Sequence, residues 1–372
     1  MTASQLISKM VKDCLVIREE NPNNRREMLI RLDVEAQEFI DTTYRIKYDL
    51  YNSQFSSLTE EELTTLLSLS RESMTIWRGK MDTTITLPDD RRLAYCTYGK
   101  VEGYPVFIFH GAPGSRIWGL EEDEVVQQSN LYLIATDRPG FGGSTSQRNR
   151  TLLDFAEDIY ILAKQLGYQK YAVLGVSGGG AYAAACAARY PNEVSSLHLI
   201  SSATPFINGK APKEMSTQNK LAFFMACKLP FILRMSYQAQ KKTLVTNRTK
   251  FYDQLKKSSK YLNEWDRQYL QTQEQFEGFA KHLEAALKQN VEECINEPKL
   301  LTKPWEFNLA TIQAPTFIWH GAEDKMSPAS SIQDVAKQIP NAQLHIVPQA
   351  GHFLTEDTSI WQNILSEIVV PN

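Results

Sequence analysis

The sequence predicts an α/β protein built on a mostly parallel sheet with helices on both faces. Three observations carry this. Short apolar runs alternate with helical patterns from about residue 83 onward. The stretch from Tyr171 to Ala181 reads as a strand, a tight turn and a helix of small residues. The alternation stops near Ser202 and resumes at Pro315, so a helical segment is inserted into an otherwise regular pattern.

Composition narrows the class. The chain has 372 residues, 42% hydrophobic and 22% charged, with a net charge of −3. That balance gives no electrostatic case for nucleic acid. No apolar run approaches the ~20 residues of a membrane span, and the start has no signal-peptide core, so a cytoplasmic protein is expected. Cys14, Cys96, Cys186, Cys227 and Cys294 are scattered and odd in number. They suggest neither a disulfide framework nor a metal site.

The N-terminal part, residues 1–78, is expected to be a helical extension. Leu6, Ile7, Met10, Val11 and Leu15 recur at helical spacing. A second helix is expected from Asn24 to Tyr51, after the turn-prone Asn21-Pro22-Asn23-Asn24, and Thr59–Glu62 reads as the capping box of a third. Such helices offer a regulatory or lid-completing element, a homodimer surface, or a structural wrap.

The strands then follow in order. Thr83–Leu87 and Arg91–Tyr98 flank a Pro88-Asp89-Asp90 turn and read as a hairpin. Pro105–His110 is a continuous apolar run typical of a buried strand, and Leu131–Thr136 is another. Thr151 to Leu166 is an amphipathic helix with Leu152, Phe155, Ile159 and Leu162 inward. After Val194–Ser201, residues 204–310 form the helical insertion. Its segment Leu221–Met235 is rich in large apolar groups, which suits a pocket-lining lid, the insertion's own core or, less directly, a membrane-surface helix. Lys241, Lys242, Lys256, Lys257 and Lys260 make the insertion locally basic. Strands 315–320 and 343–347, a helix from Ala329 to Ile339 and a closing helix from Leu354 to Val369 complete the chain.

The chemistry concentrates at loops after strands. Gly175-Val176-Ser177-Gly178-Gly179 is a Gly-x-Ser-x-Gly turn that projects the serine hydroxyl off a strand end, at the mouth of a helix. Ser177 fills the position a dinucleotide turn reserves for glycine, so a nicotinamide cofactor is not expected. A serine nucleophile needs a base, and the base needs an acid. Among six histidines, His352 lies in the loop between the last strand and the last helix and is the candidate base. His198 and His345 fall within strands, His282 lies on an insertion helix, and His110 and His320 end strands. Asp324 follows the penultimate strand and is the candidate acid, with Glu323 as the neighbouring rival.

With these motifs in place, the chain from about residue 83 to 372 resembles the α/β-hydrolase fold superfamily. The resemblance rests on the turn at Ser177, His110-Gly-x-Pro-Gly114, Asp137-Arg-Pro-Gly-x-Gly-x-Ser144, Gly-x-x-Asp324 and Gly-His352. It implies a mostly parallel eight-stranded sheet, a core made of residues 79–203 and 311–372, and the insertion 204–310 as a cap. It implies Ser177 as nucleophile, His352 as base and Asp324 as acid. The backbone N–H groups of Ala112 and Gly178 would form the oxyanion hole, and no metal or organic cofactor is required. The His-Gly-x-Pro-Gly form is similar to prolyl iminopeptidases and to bacterial hydrolases of unassigned substrate.

A serine at this turn suits acyl transfer to an ester, thioester, amide or carbon–carbon bond, and disfavours the alkyl transfer run by an aspartate there. The expected activity is a carboxylesterase-like serine hydrolysis of a small-molecule acyl substrate. Two alternatives stand beside it. One is a ligand sensor signalling through the N-terminal helices. The other is an aminopeptidase, which would need an acid such as Glu274, Glu277 or Glu284 to hold a substrate amine.

Overall fold

The computed structural model describes residues 16–20, 28–32, 83–120 and 123–371. The chain divides into two compact units, Met1–Ile76 and Trp77–Asn372. In the first unit, β1 (Val16–Glu20) and β2 (Met28–Leu32) pair antiparallel, with Val16 opposite Leu32 and Glu20 opposite Met28. This corrects the sequence expectation of a helix from Asn24 to Tyr51, at least over residues 28–32. A five-residue stretch such as Met-Leu-Ile-Arg-Leu is ambiguous by periodicity alone. The turn-prone residues 21–24 lie between these two strands instead of between two helices. The remaining expected helices, and a dimer built through them, fall outside the described residues.

The second unit contains an eight-stranded sheet. Its strands are β3 (Thr83–Thr86), β4 (Arg92–Gly99), β5 (Tyr104–Phe109), β6 (Leu131–Thr136), β7 (Tyr171–Val176), β8 (Val194–Ile200), β9 (Thr316–Gly321) and β10 (Ala342–Val347). The order across the sheet is β10-β9-β8-β7-β5-β6-β4-β3. Only the β3–β4 and β4–β6 pairings are antiparallel. The six strands from β10 to β6 run parallel, so their C-terminal ends share one rim.

Side-chain alternation explains why this sheet needs cover on both faces. Along β5, Phe107 and Phe109 join one buried cluster, with Phe155, Ile159 and Tyr182 from the helices over that face. Val106 and Ile108 join the other, with Trp361 and Ile364. The first face is covered by α2 (Leu152–Gln165), α3 (Gly179–Arg189) and α10 (Ala329–Ala336). Helix α2 starts at a capping box, in which Thr151 and Asp154 each accept the other's backbone N–H at 3.0 and 2.8 Å. The second face carries α1 (Glu124–Gln128) and α11 (Thr358–Ser366). The expected closing helix is therefore shorter. A 3₁₀ turn at Leu354–Glu356 precedes Asp357, whose side chain caps α11 by accepting the Ile360 N–H at 3.0 Å.

Between β8 and β9 the chain forms α4 (Thr217–Lys228), α5 (Pro230–Thr246), α6 (Arg248–Ser259), α7 (Glu264–Gln268), α8 (Gln273–Ala286) and α9 (Glu293–Leu301). These helices bury a cluster of their own, including Leu233, Leu244, Phe251 and Leu283, joined by Phe141 from the sheet's loops. The apolar segment Leu221–Met235 divides its roles. Ala226 and Leu233 enter this cluster, while Leu221, Phe224, Phe231, Ile232 and Met235 are exposed.

Two glycines give contrasting tests. A Cβ on Gly175 would lie 2.3 Å from the Gly179 carbonyl oxygen, so no side chain fits between β7 and α3. A Cβ on Gly278, inside α8, would meet open space. Gly175→Ala is expected to cost about 2 kcal/mol or more by overpacking. Gly278→Ala is expected to stabilise by up to ~1 kcal/mol through helix propensity. Urea denaturation of the two variants checks both signs.

Candidate active site

The site is assembled at the shared strand rim. Ser177 follows β7 and opens α3. Its backbone φ is 54°, in the left-handed region that a serine adopts only when its surroundings impose it. The surroundings do so here. The Ser177 N–H donates to the Ile200 carbonyl at 2.9 Å, and the Ser177 carbonyl accepts N–H groups from Gly180 and Ala203 at 3.1 and 2.9 Å. The turn is thereby fixed against β8 and the start of the following loop. Gly111 lies beside it, since a Cβ there would sit 3.8 Å from the Ser177 Oγ.

His352 and Asp324 meet although 28 positions separate them. His352 Nδ1 lies 2.7 Å from Asp324 Oδ2. Both side chains are buried. The other oxygen of Asp324 accepts backbone N–H groups from Met326 and Ser327 at 2.7 and 2.8 Å. His320 approaches the shared oxygen at 3.4 Å and also meets the Ser327 carbonyl at 2.5 Å. Burial alone would raise the Asp324 carboxyl, but the facing His352, then His320 and the Ser327 N–H, hold it below the usual range. Burial alone would lower the His352 imidazole. The Asp324 charge and hydrogen bond outweigh it, with Asp266 adding to them, and the net shift is upward. Glu323, the rival acid, has an exposed side chain and donates its backbone N–H to the Ala350 carbonyl at 2.9 Å.

Ala112, Ser177, Gly178 and His352 line one cavity of about 200 Å³. Ala112 and Gly178 are neighbours across it. A Cβ on Gly178 would lie 2.9 Å from the Ala112 Cβ and 3.4 Å from the Ala112 nitrogen. The remaining walls include Met215, Phe223, Leu233, Tyr237 and Leu301 from the insertion. Among the described lining residues there is no Asp, Glu, Lys or Arg. Glu277 and Glu284 instead pair with Arg248, and neither they nor Glu274 line this cavity. A larger cavity of about 520 Å³ adjoins it, sharing Thr204, Phe206 and Pro212, but touches none of the predicted site residues. No group of three or more potential metal ligands clusters among the described residues.

The chain belongs to the alpha/beta hydrolase fold family. The family model matches residues 104–358. Lipase 1 of Psychrobacter immobilis is 27% identical over 290 residues, covering 74% of this chain and 80% of the lipase. Proline iminopeptidase of Xylella fastidiosa is 32% identical over 119 residues, covering 31% of this chain and 37% of the peptidase. An esterase structure from Exiguobacterium antarcticum superposes with a TM-score of 0.57 at 17% identity, covering 77% of this chain and 98% of the esterase. This chain is therefore an enzyme of the alpha/beta hydrolase family.

Two buried contacts from the insertion escape sequence reasoning. The first is Asp266 in α7, which is 2% exposed. Its Oδ1 accepts the backbone N–H groups of His352 and Phe353 at 2.6 and 2.9 Å. Asn263, one turn earlier, caps α7 by accepting the Asp266 N–H and donates its side-chain amide to the Glu323 carbonyl at 2.9 Å. One short helix thus grips both the Asp324 loop and the His352 loop. Gly351 is required for this approach, because a Cβ there would lie 2.5 Å from Asp266 Oδ1.

The second contact is a charge cluster with no exposure at its centre. Arg138, from the loop after β6, donates to both oxygens of Glu297 in α9 at 2.6 and 2.9 Å. Arg138 also donates to the carbonyls of His110 and Gly111. Arg150 and Tyr182 complete the shell, with the Tyr182 hydroxyl 2.9 Å from Glu297. Burial would raise the Glu297 carboxyl, but Arg138, Arg150 and Tyr182 lower it on balance. Arg138 therefore holds the two residues before Ala112 through their carbonyls. His110 is kept neutral, its pKa driven well below the usual value by burial and then by Arg138.

Asp266→Asn keeps an acceptor for the two N–H groups and removes the charge near His352. The expected result is an acidic limb of the kcat/KM profile displaced to lower pH, because one group that raises the His352 pKa is gone. Asp266→Ala should additionally lower kcat, since the loop loses its anchor. pH–rate profiles of the two variants check this.

Proposed function

We propose that this chain is a serine hydrolase that cleaves esters with a neutral, apolar acyl group through an acyl-enzyme. The observation that carries the reading is the joint placement of Ser177 and His352 on one cavity, with His352 Nδ1 2.7 Å from Asp324. In this reading Ser177 is the nucleophile, His352 the base and Asp324 the acid. Asp324 accepts the Nδ1–H, so the lone pair of His352 lies on Nε2, the nitrogen left for the Ser177 hydroxyl. As that hydroxyl adds to the ester carbonyl, its proton passes to Nε2 and Asp324 stabilises the imidazolium. The backbone N–H groups of Ala112 and Gly178 receive the oxyanion, each contributing about 3 kcal/mol of barrier lowering. His352 then returns the proton to the leaving alcohol, and water attacks the acyl-enzyme with His352 again as base.

The helical insertion serves as the cap and supplies the acyl wall. Phe223, Leu233, Tyr237 and Leu301 favour hydrocarbon, and a cavity of about 200 Å³ accommodates a short to medium chain. An aminopeptidase would need an anionic wall to hold a substrate ammonium group. The lack of acidic groups among the described lining residues supports an ester over an aminoacyl peptide. The relatives named as lipase and esterase point the same way.

Ser177→Ala should retain the wild-type melting temperature or exceed it, because a hydroxyl is lost without opening a void. It should reduce kcat toward activated p-nitrophenyl esters by at least about 10⁴-fold. Across a series of such esters, wild-type kcat/KM should peak at short to medium chains and fall for charged acyl groups. Undiminished turnover in Ser177→Ala contradicts the proposal.

A further inference from the structure

The outer surface of the insertion has a composition that the pocket does not require. From Met215 to Tyr252 the sequence carries seven lysines and arginines and no aspartate or glutamate. Arg234 is paired with Glu292, and Arg248 with Glu277 and Glu284. Lys228, Lys242 and Lys250 are exposed, and Lys220 and Lys241 are half-buried with amines bonded to backbone carbonyls. Those two bonds satisfy donors without neutralising charge.

Large apolar side chains stand among these cations. Leu221 and Phe224 of α4 are each 53% exposed, and Phe231 and Met235 of α5 are 57% and 65% exposed. On α5, Phe231, Met235, Gln238 and Lys242 recur at helical spacing, so apolar and cationic groups share one stripe. The inward residues of the same two helices, Ala222, Phe223, Leu233 and Tyr237, line the cavity that holds Ser177. One pair of helices therefore presents an apolar, cationic face outward and an apolar pocket wall inward.

We propose that this outer face binds an anionic lipid surface, with the apolar residues entering the acyl region and the lysines pairing with head-group phosphates and carboxylates. Exposed aromatic and aliphatic groups flanked by cations, without intervening acids, are the pattern that partitions into such an interface. A neutral apolar ligand would leave the lysines without partners, and an acidic soluble partner would leave the four apolar side chains unmatched. The charge excess is local, since the chain as a whole is acidic at −3. Binding here depends on the outer face and is independent of the chemistry assigned to Ser177.

The test is sedimentation of the full chain with vesicles of phosphatidylcholine alone and of equimolar phosphatidylcholine and phosphatidylserine. Binding is expected only to the second, and it should weaken with added salt. Lys228→Glu/Lys242→Glu should lower the partition coefficient by at least about tenfold. Phe224→Ser/Phe231→Ser/Met235→Ser should lower it comparably, with unchanged hydrolysis of a soluble short-chain ester as the sign of an intact fold. Ser177→Ala should bind like wild type, which separates this result from the fate of the hydrolase reading. No binding to either vesicle, or binding undiminished in both surface variants, overturns the proposal. So does a wild-type dimer, made monomeric by the triple substitution, that ignores vesicles and shows the face to be a contact between copies.

Discussion

A serine held in left-handed backbone at the end of a central strand is the constraint that orders the rest of this fold. With φ at 54°, Ser177 turns the chain from β7 into α3 within a few residues. That sharpness demands small neighbours. Gly175 faces the Gly179 carbonyl at a distance no side chain tolerates, and α3 is a row of alanines and glycines buried on the sheet. The compact seam places the N-terminus of α3, the positive end of its dipole, at the serine itself. The same parallel arrangement sends the loops after β5, β9 and β10 to that rim, and these carry Ala112, Asp324 and His352.

The insertion completes this arrangement structurally as well as covering it. Asp266 and Asn263 hold the backbone of the His352 and Glu323 loops, and Glu297 holds Arg138, which in turn holds the carbonyls of His110 and Gly111. Buried ion pairs of this sort contribute little net stability, since desolvation offsets their attraction. Their value lies in geometry: removing one partner leaves a charge stranded in the interior. The cavity walls and the loops that carry Ala112, Asp324 and His352 are thereby held by one insertion, so changes in its helices reach those loops through backbone contacts.

The parts legible in the sequence were those with local signatures. The continuous apolar runs of β5 to β7 have no other comfortable environment than a doubly covered sheet. Ser177, Asp324 and His352 stand on turns marked by glycine, and their order along the chain suffices to bring them to one rim. Asp266 and Glu297 carry no such mark. Their partners are 86 and 159 positions away, and an isolated acid on a polar helix reads as a solvated face. The N-terminal expectation failed for a related reason. Met28–Leu32 contains too few residues to separate a helical from an extended period, and its strand character depends on pairing with Val16–Glu20. The exposure of Phe224 and Phe231 was equally invisible, because an apolar helix announces burial until its neighbours are placed.

Activation of the Ser177 hydroxyl by His352 is the step on which the proposed chemistry depends. Mass-spectrometric mapping of a fluorophosphonate adduct tests this directly, because the reagent reports nucleophilicity without requiring the right substrate. A single modified peptide containing Ser177 is expected, with labelling reduced by orders of magnitude in His352→Ala. An unlabelled Ser177 in the folded wild-type protein, or labelling as fast without His352 as with it, would contradict it.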